Sequence, residues 1–146
     1  MLKIYNLKDK QEYLKEVITL EHDEWSKNEL DLVRKEKEIK DLFDNKYFCK
    51  LILLDDNELI GFISMFEYDL DERKDLKPWY ATMYVKKEHR GKGYSKLLND
   101  AILKEANKRG FDKLYLKTTL KDYYEKFGAI FIERINTENL YYINTK

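Results

Sequence analysis

The sequence predicts an α/β (α+β) domain: a mixed, mostly antiparallel sheet flanked by helices. Three observations carry this. Apolar runs of strand length recur with polar turns between them. An amphipathic helix follows a turn holding Gly91 and Gly93. Short strands stand on either side of that helix, and a helical crossover leaves such a pair parallel. The 146 residues suit one domain, 1–146, with a core of its own.

The elements follow in order. Residues 3–5 read as a first strand. From 8 to 20 the apolar positions Tyr13, Leu14, Val17 and Ile18 recur at helical spacing. Asn28 is placed to cap a second helix holding Leu32, Val33, Ile39, Leu42 and Phe43. Its charged stretch, residues 35–38, reads as a solvated face. Residues 47–54 and 59–68 form the strands of a hairpin around the polar turn 55–58. A charged loop, 69–77, leads into a strand over 79–85. The helix after the glycines buries Leu97, Leu98, Ala101, Ile102 and Ala106, and Gly110 supplies a left-handed cap. Leu114 to Leu116 is a strand, residues 122–127 a short helix, and 130–135 with 140–143 a closing hairpin.

Composition excludes several function classes. Net charge is zero and Lys and Arg are scattered, so nothing electrostatic argues for nucleic acid. The longest apolar run, Leu51 to Leu54, is far too short to span a bilayer, and the first residues lack a signal-peptide core. Cys49 is the only cysteine, so no internal disulfide forms, and a cytoplasmic home is the simplest expectation. Its strand setting makes it a small buried filler. No His, Cys and carboxylate cluster at metal-ligand spacing is visible, so no metal is expected.

The segment Tyr84-Val85-Lys86-Lys87-Glu88-His89-Arg90-Gly91-Lys92-Gly93-Tyr94-Ser95 carries the clearest chemistry. Glycines let a backbone turn sharply and approach a ligand closely. The unpaired N–H groups at the following helix start, and its dipole, favour an anion. Arg90 and Lys92 add positive charge, while His89 is expected to face solvent. A phosphate group fits. The spacing is not that of a P-loop, and Lys96 stands where a dinucleotide fingerprint needs its third glycine.

Arg90-Gly91-Lys92-Gly93-Tyr94-Ser95 resembles the pyrophosphate-binding motif of the GNAT family, the Gcn5-related N-acetyltransferases. The strand before it is similar to that family's fourth, and residues 111–117 to its fifth. Tyr124-Glu125-Lys126-Phe127-Gly128-Ala129 is similar to its Y-E-K-x-G-F ending. Upstream, His22-Asp23-Glu24-Trp25 and residues 75–79 resemble a bacterial subgroup. The chain departs from the pattern in three places. Ser95 stands for Gly or Ala, Ala129 stands for Phe, and residues 118–122 lack the Asn common after the fifth strand.

The resemblance implies acetyl-CoA as co-substrate and a fourth and fifth strand that splay apart to admit its pantetheine arm. Main-chain groups near Met83 and Val85 would meet that arm. Gly91, Lys92, Gly93, Tyr94 and Ser95 would give N–H groups to the pyrophosphate, and Arg90 would either touch phosphate or anchor the loop by a salt bridge. Tyr124 would be the general acid that protonates the leaving thiolate, and adjacent Tyr123 would pack.

The base is not fixed by the resemblance. Strand 79–85 lacks the carboxylate that some members carry there. Glu67 is the first candidate by location, with Asp69 beside it; Glu24, His22 or a water chain are the others. The implied reaction is acetyl transfer from acetyl-CoA to a primary amine by direct attack in a ternary complex. The acceptor would be a small molecule or peptide amine, such as a polyamine, an amino sugar or a protein N-terminus. The acidic loop 69–72 would attract it, and Trp25, Trp79 and Tyr80 would line its site or pack in the core. A non-catalytic acyl-CoA-binding or regulatory module of the same fold is the alternative. Edge strands near the C-terminus permit a homodimer without requiring one.

Overall fold

Strands β2 (Cys49–Asp55) and β3 (Glu58–Phe66) are apolar at nearly every position, and both are buried along almost their full length. A strand apolar on both pleats must be covered on both faces. The computed structural model, which describes residues Met1–Lys146, shows that arrangement. Helix α3 (Tyr94–Lys108) covers one face, where Cys49, Leu51, Leu53, Ile63 and Met65 meet Leu98, Ile102 and Ala106. Helices α1 (Leu14–Trp25) and α2 (Leu32–Leu42) cover the other, where Ile52, Leu54, Leu59 and Phe62 meet Leu14, Val17, Ile18 and Ile39. Each such fully buried side chain contributes about 1.5–3 kcal/mol.

The remaining strands are β1 (Leu2–Asn6), β4 (Trp79–Val85), β5 (Lys113–Thr118), β6 (Ile130–Ile135) and β7 (Glu138–Asn144). They complete a seven-stranded sheet in the order β1-β2-β3-β4-β5-β7-β6. Every neighbouring pair is antiparallel except β4 with β5. That parallel pair touches only at Trp79 and Tyr115, where the Tyr115 amide donates to the Pro78 carbonyl at 3.1 Å. Beyond this point the strands diverge. The edge of Ala81–Val85 that faces β5 has no strand partner.

Several expectations are corrected. The first helix begins at Leu14, not at residue 8, because residues 7–13 curl into two single-turn 3₁₀ helices. Asp31, not Asn28, caps α2, its side chain accepting from the Arg34 amide at 3.1 Å. Leu97 on α3 is 43% exposed rather than buried. The short helix near the end is a single 3₁₀ turn, Tyr124–Phe127. Cys49 is buried as expected, which pushes its thiol up to about 12.

Candidate active site

The glycine turn sits at the open end of β4 and leads straight into α3. Gly91 and Gly93 have φ of +81° and +82°, a conformation that L side chains rarely adopt. A Cβ at either would point into open space. None of the amide N–H groups of residues 91–95 donates to a protein acceptor. Five adjacent donors therefore stand at the positive end of a 15-residue helix. These residues fit a pyrophosphate.

Arg90 holds this turn against β4. Its Nε donates to the Val85 carbonyl at 2.8 Å, and its guanidinium lies 5.6 Å from the centre of the Tyr84 ring. It anchors the loop by these contacts, and no salt bridge contributes. His89 does not face open solvent: its side chain is 18% exposed and its Nε2 lies 3.0 Å from Glu58 Oε2. The fold also brings Glu88 close, so Glu58, Glu88 and His89 place ligand-type atoms within 4.8 Å of one another. No sequence spacing signals this group, because Glu58 opens β3 whereas Glu88 and His89 lie in the single 3₁₀ turn after β4.

From the turn a cleft runs between the diverging strands. Its first part is lined by Met83, Val85, Arg90, Ser95, Tyr123 and Tyr124. Its second part, about 640 Å³, is lined by Asp69, Tyr80, Thr82, Leu116, Leu120 and Tyr124 among others. Tyr124 belongs to both. Its ring packs edge-on against Tyr80 and Tyr123, with centroids at 5.9 and 4.8 Å. Burial, reinforced by Tyr123, raises its pKa, so the phenol stays protonated and able to donate. Gly128, at φ +91°, closes the turn that carries it: the Ala129 amide donates to the Tyr124 carbonyl and the Gly128 amide to that of Glu125.

Asp69 lies in this cleft. Burial pushes its carboxyl up to about 6, against the opposing effect of Lys117, with Glu138 adding to the rise. Glu67 is not among the residues lining it and lies 3.6 Å from Lys77 Nζ. Glu24 reaches the first part of the cleft. Trp79 belongs to the core, fully buried, its indole N–H donating to the Leu76 carbonyl at 2.8 Å.

At Thr82 the strand bulges. Residues Phe62 and Ser64 of β3 pair with Tyr84 and Ala81, so two residues of β4 stand opposite Ile63. Thr82 takes φ +46°. Its Oγ1 lies 2.6 Å from Ser64 Oγ, which accepts from Lys50 Nζ at 2.7 Å; Lys50 in turn donates to Glu21 Oε1 at 2.7 Å. This buried chain ties α1 to the bulge. Burial lowers the Lys50 pKa while Glu21 opposes the effect. The sequence reading missed the chain, although a lysine alternating with Ile52 and Leu54 on an apolar face is its signal. Beside it, under α1 and α2, lies a cavity of about 290 Å³ that shares Thr82 and Trp25 with the cleft. Lys35 and Glu38 line that cavity, so this stretch of α2 is not purely a solvated face.

Comparison with known proteins agrees with this arrangement. The Acetyltransferase (GNAT) family matches residues 12–129. No curated protein sequence matches significantly. Among solved structures, yncA from Salmonella typhimurium, solved with its cofactor acetyl-CoA, superposes with a TM-score of 0.75 at 12% identity, covering 99% of this chain and 94% of that one. The N152L mutant of SpeG, a spermidine N-acetyltransferase from Vibrio cholerae, gives 0.72 at 15% identity over 99% and 94%. A GNAT acetyltransferase from Staphylococcus aureus MU50 gives 0.67 at 19% identity over the whole of both chains. At these identities the likeness is one of fold, whereas the family match extends over most of the sequence, the glycine turn and the Tyr124 block included. The chain belongs to the GNAT family of acetyltransferases.

Proposed function

We propose that this protein transfers an acetyl group from acetyl-CoA to a primary amine by direct attack in a ternary complex. The observation that carries the reading is a continuous path. The row of unpaired amides at residues 91–95 opens into a cleft that passes the free edge of β4 and reaches Tyr124. Phosphate at one end and an acyl group near the phenol at the other suit that path.

The chain's own groups meet each demand of the reaction. Gly91, Lys92, Gly93, Tyr94 and Ser95 donate N–H groups to the pyrophosphate. The unpartnered backbone around Met83 binds the arm and holds the oxyanion that forms when the amine adds to the thioester carbonyl. Deprotonating an alkylammonium at pH 7 costs about 4 kcal/mol for ~3 pKa units. Asp69 is the better-supported proton acceptor, since it lines the cleft and titrates near 6, whereas Glu67 faces Lys77. When the tetrahedral adduct collapses, the carbon–sulfur bond breaks and Tyr124 passes its proton to the leaving thiolate.

One observation favours a second reading, a non-catalytic acyl-CoA-binding module: β4 carries no carboxylate. Thiol release from acetyl-CoA in the presence of a panel of primary amines separates the two. The proposal expects turnover that Tyr124→Phe lowers about 10²-fold with acetyl-CoA affinity unchanged. Binding without turnover on any amine supports the module instead.

A further inference from the structure

The cavity under α1 and α2 meets the cleft at Thr82 and Trp25. An amine poised to attack there would extend the rest of its molecule into this cavity, so the lining reports on the acceptor. Half of that lining is apolar, and the walls are set by Ile18, Leu30, Ile39, Phe48 and Phe66.

The charged groups of the lining are already committed to one another. Lys50 Nζ is 2.7 Å from Glu21 Oε1, with the lysine side chain 1% exposed. Lys35 Nζ is 3.5 Å from Glu38 Oε2, and Arg34 Nε lies 3.7 Å from the other oxygen of Glu38. Within the lining itself, Lys35 and Lys50 face Glu21 and Glu38, and Arg34 reaches Glu38 from outside it. A second ammonium entering this space would find no uncommitted carboxylate, and a carboxylate would find no uncommitted cation. Either would compete for the Lys50–Glu21 pair, and breaking it would leave the buried Lys50 charge uncompensated, whereas the Lys35–Glu38 pair is half exposed. A polyamine meets the first obstacle and an amino acid the second.

One buried polar atom of the lining has no partner. His22 Nε2 is buried and makes no hydrogen bond. At about 290 Å³ the cavity lies at the small end of the ~300–1,000 Å³ typical of small-molecule sites, which admits a phenyl ring or a branched alkyl chain.

We propose that the acceptor is a small primary amine with an uncharged, largely apolar tail, an arylalkylamine or branched alkylamine, bound with that tail between α1, α2 and the sheet. This rests on the reading of the chain as an amine acetyltransferase. It departs from the polyamine chemistry of the structurally similar SpeG.

The test compares 2-phenylethylamine, spermidine and phenylalanine as acceptors by thiol release, and measures 2-phenylethylamine binding by calorimetry in the presence of CoA. Both are repeated with Leu30→Trp, which fills the cavity from a loop position. Acetyl-CoA titration and a thermal melt check that this variant folds. The expected result is a kcat/KM for 2-phenylethylamine at least about 10-fold above the other two, falling at least about 10-fold in Leu30→Trp, as a lost apolar contact allows. A preference for spermidine or phenylalanine, or 2-phenylethylamine turnover and binding untouched by Leu30→Trp, overturns the assignment of the tail while acetyl transfer stands. Binding of 2-phenylethylamine that Leu30→Trp abolishes, without turnover of any amine, keeps the pocket assignment and overturns the transfer reading. No turnover and no binding overturns both.

Discussion

Asp69 and Tyr124 share a cleft, and burial pushes both toward their protonated forms. Burial lifts the carboxyl toward neutrality and keeps the phenol protonated. If Asp69 is the base, kcat/KM rises with pH through about 6, and Asp69→Asn removes that limb from a pH–rate profile. The same burial has a stability consequence of fixed sign. The folded pKa lies above the ordinary 3.8, so the native state holds its proton more tightly between the two values, and stability falls as pH rises through that window. Asp69→Asn is therefore expected to raise the melting temperature at pH 8, with the gain disappearing by pH ~4; a uniform gain at both would contradict the burial argument. The residue scale is also where the sequence was least legible. It offered Glu67 and Asp69 as near equals, because only the path of the chain after β3 decides which side chain turns into the cleft and which meets Lys77.

At the scale of elements, the legible parts were those written in local chemistry. Gly110 was readable as the cap of α3, and the structure gives it φ +91° with the Phe111 amide reaching back to the Ala106 carbonyl. The start of α1 was not readable, because residues 7–13 are helical in spacing yet turn too tightly, with Lys10 at φ −138° separating two 3₁₀ turns. The single turn Tyr124–Phe127 is too short to persist alone, so Gly128 has a functional consequence. Gly128→Ala forces a Cβ into the left-handed region and is expected to cost about 1 kcal/mol, read as a fall in melting temperature. Because the cap fixes the turn under Tyr124, kcat falls with it. A variant of full stability and full kcat would show that the turn holds itself.

At the scale of the molecule, the sheet is covered on both faces, and the two faces do different work. The α3 face supports the glycine turn at residues 91–93. The α1–α2 face carries the chain Glu21–Lys50–Ser64–Thr82 across to the bulge beside the cleft. Residues 47–54 were legible as a strand, but neither its burial on both faces nor the helices that cover it were, since these follow from the order of strands in space. Glu21→Ala strands the Lys50 ammonium and is expected to cost about 3 kcal/mol in denaturant unfolding. Adding Lys50→Met, which removes the charge itself, is expected to recover most of that loss; no recovery would mean that Lys50 is held by its packing rather than by its charge partner. No helix is long and apolar enough to cross a membrane. The central claim is that the turn at Gly91 and Gly93 binds the pyrophosphate of acetyl-CoA, and isothermal titration tests it most directly, with wild type beside Gly93→Glu. The new side chain points into open space, so it puts negative charge where phosphate should lie without colliding with the fold. Wild-type binding in the micromolar range, lost in a variant that still melts cooperatively and gives up only the ~1 kcal/mol that a side chain at positive φ costs, is the predicted result. A wild-type protein that does not bind acetyl-CoA, or a variant that binds it equally well, would contradict the account.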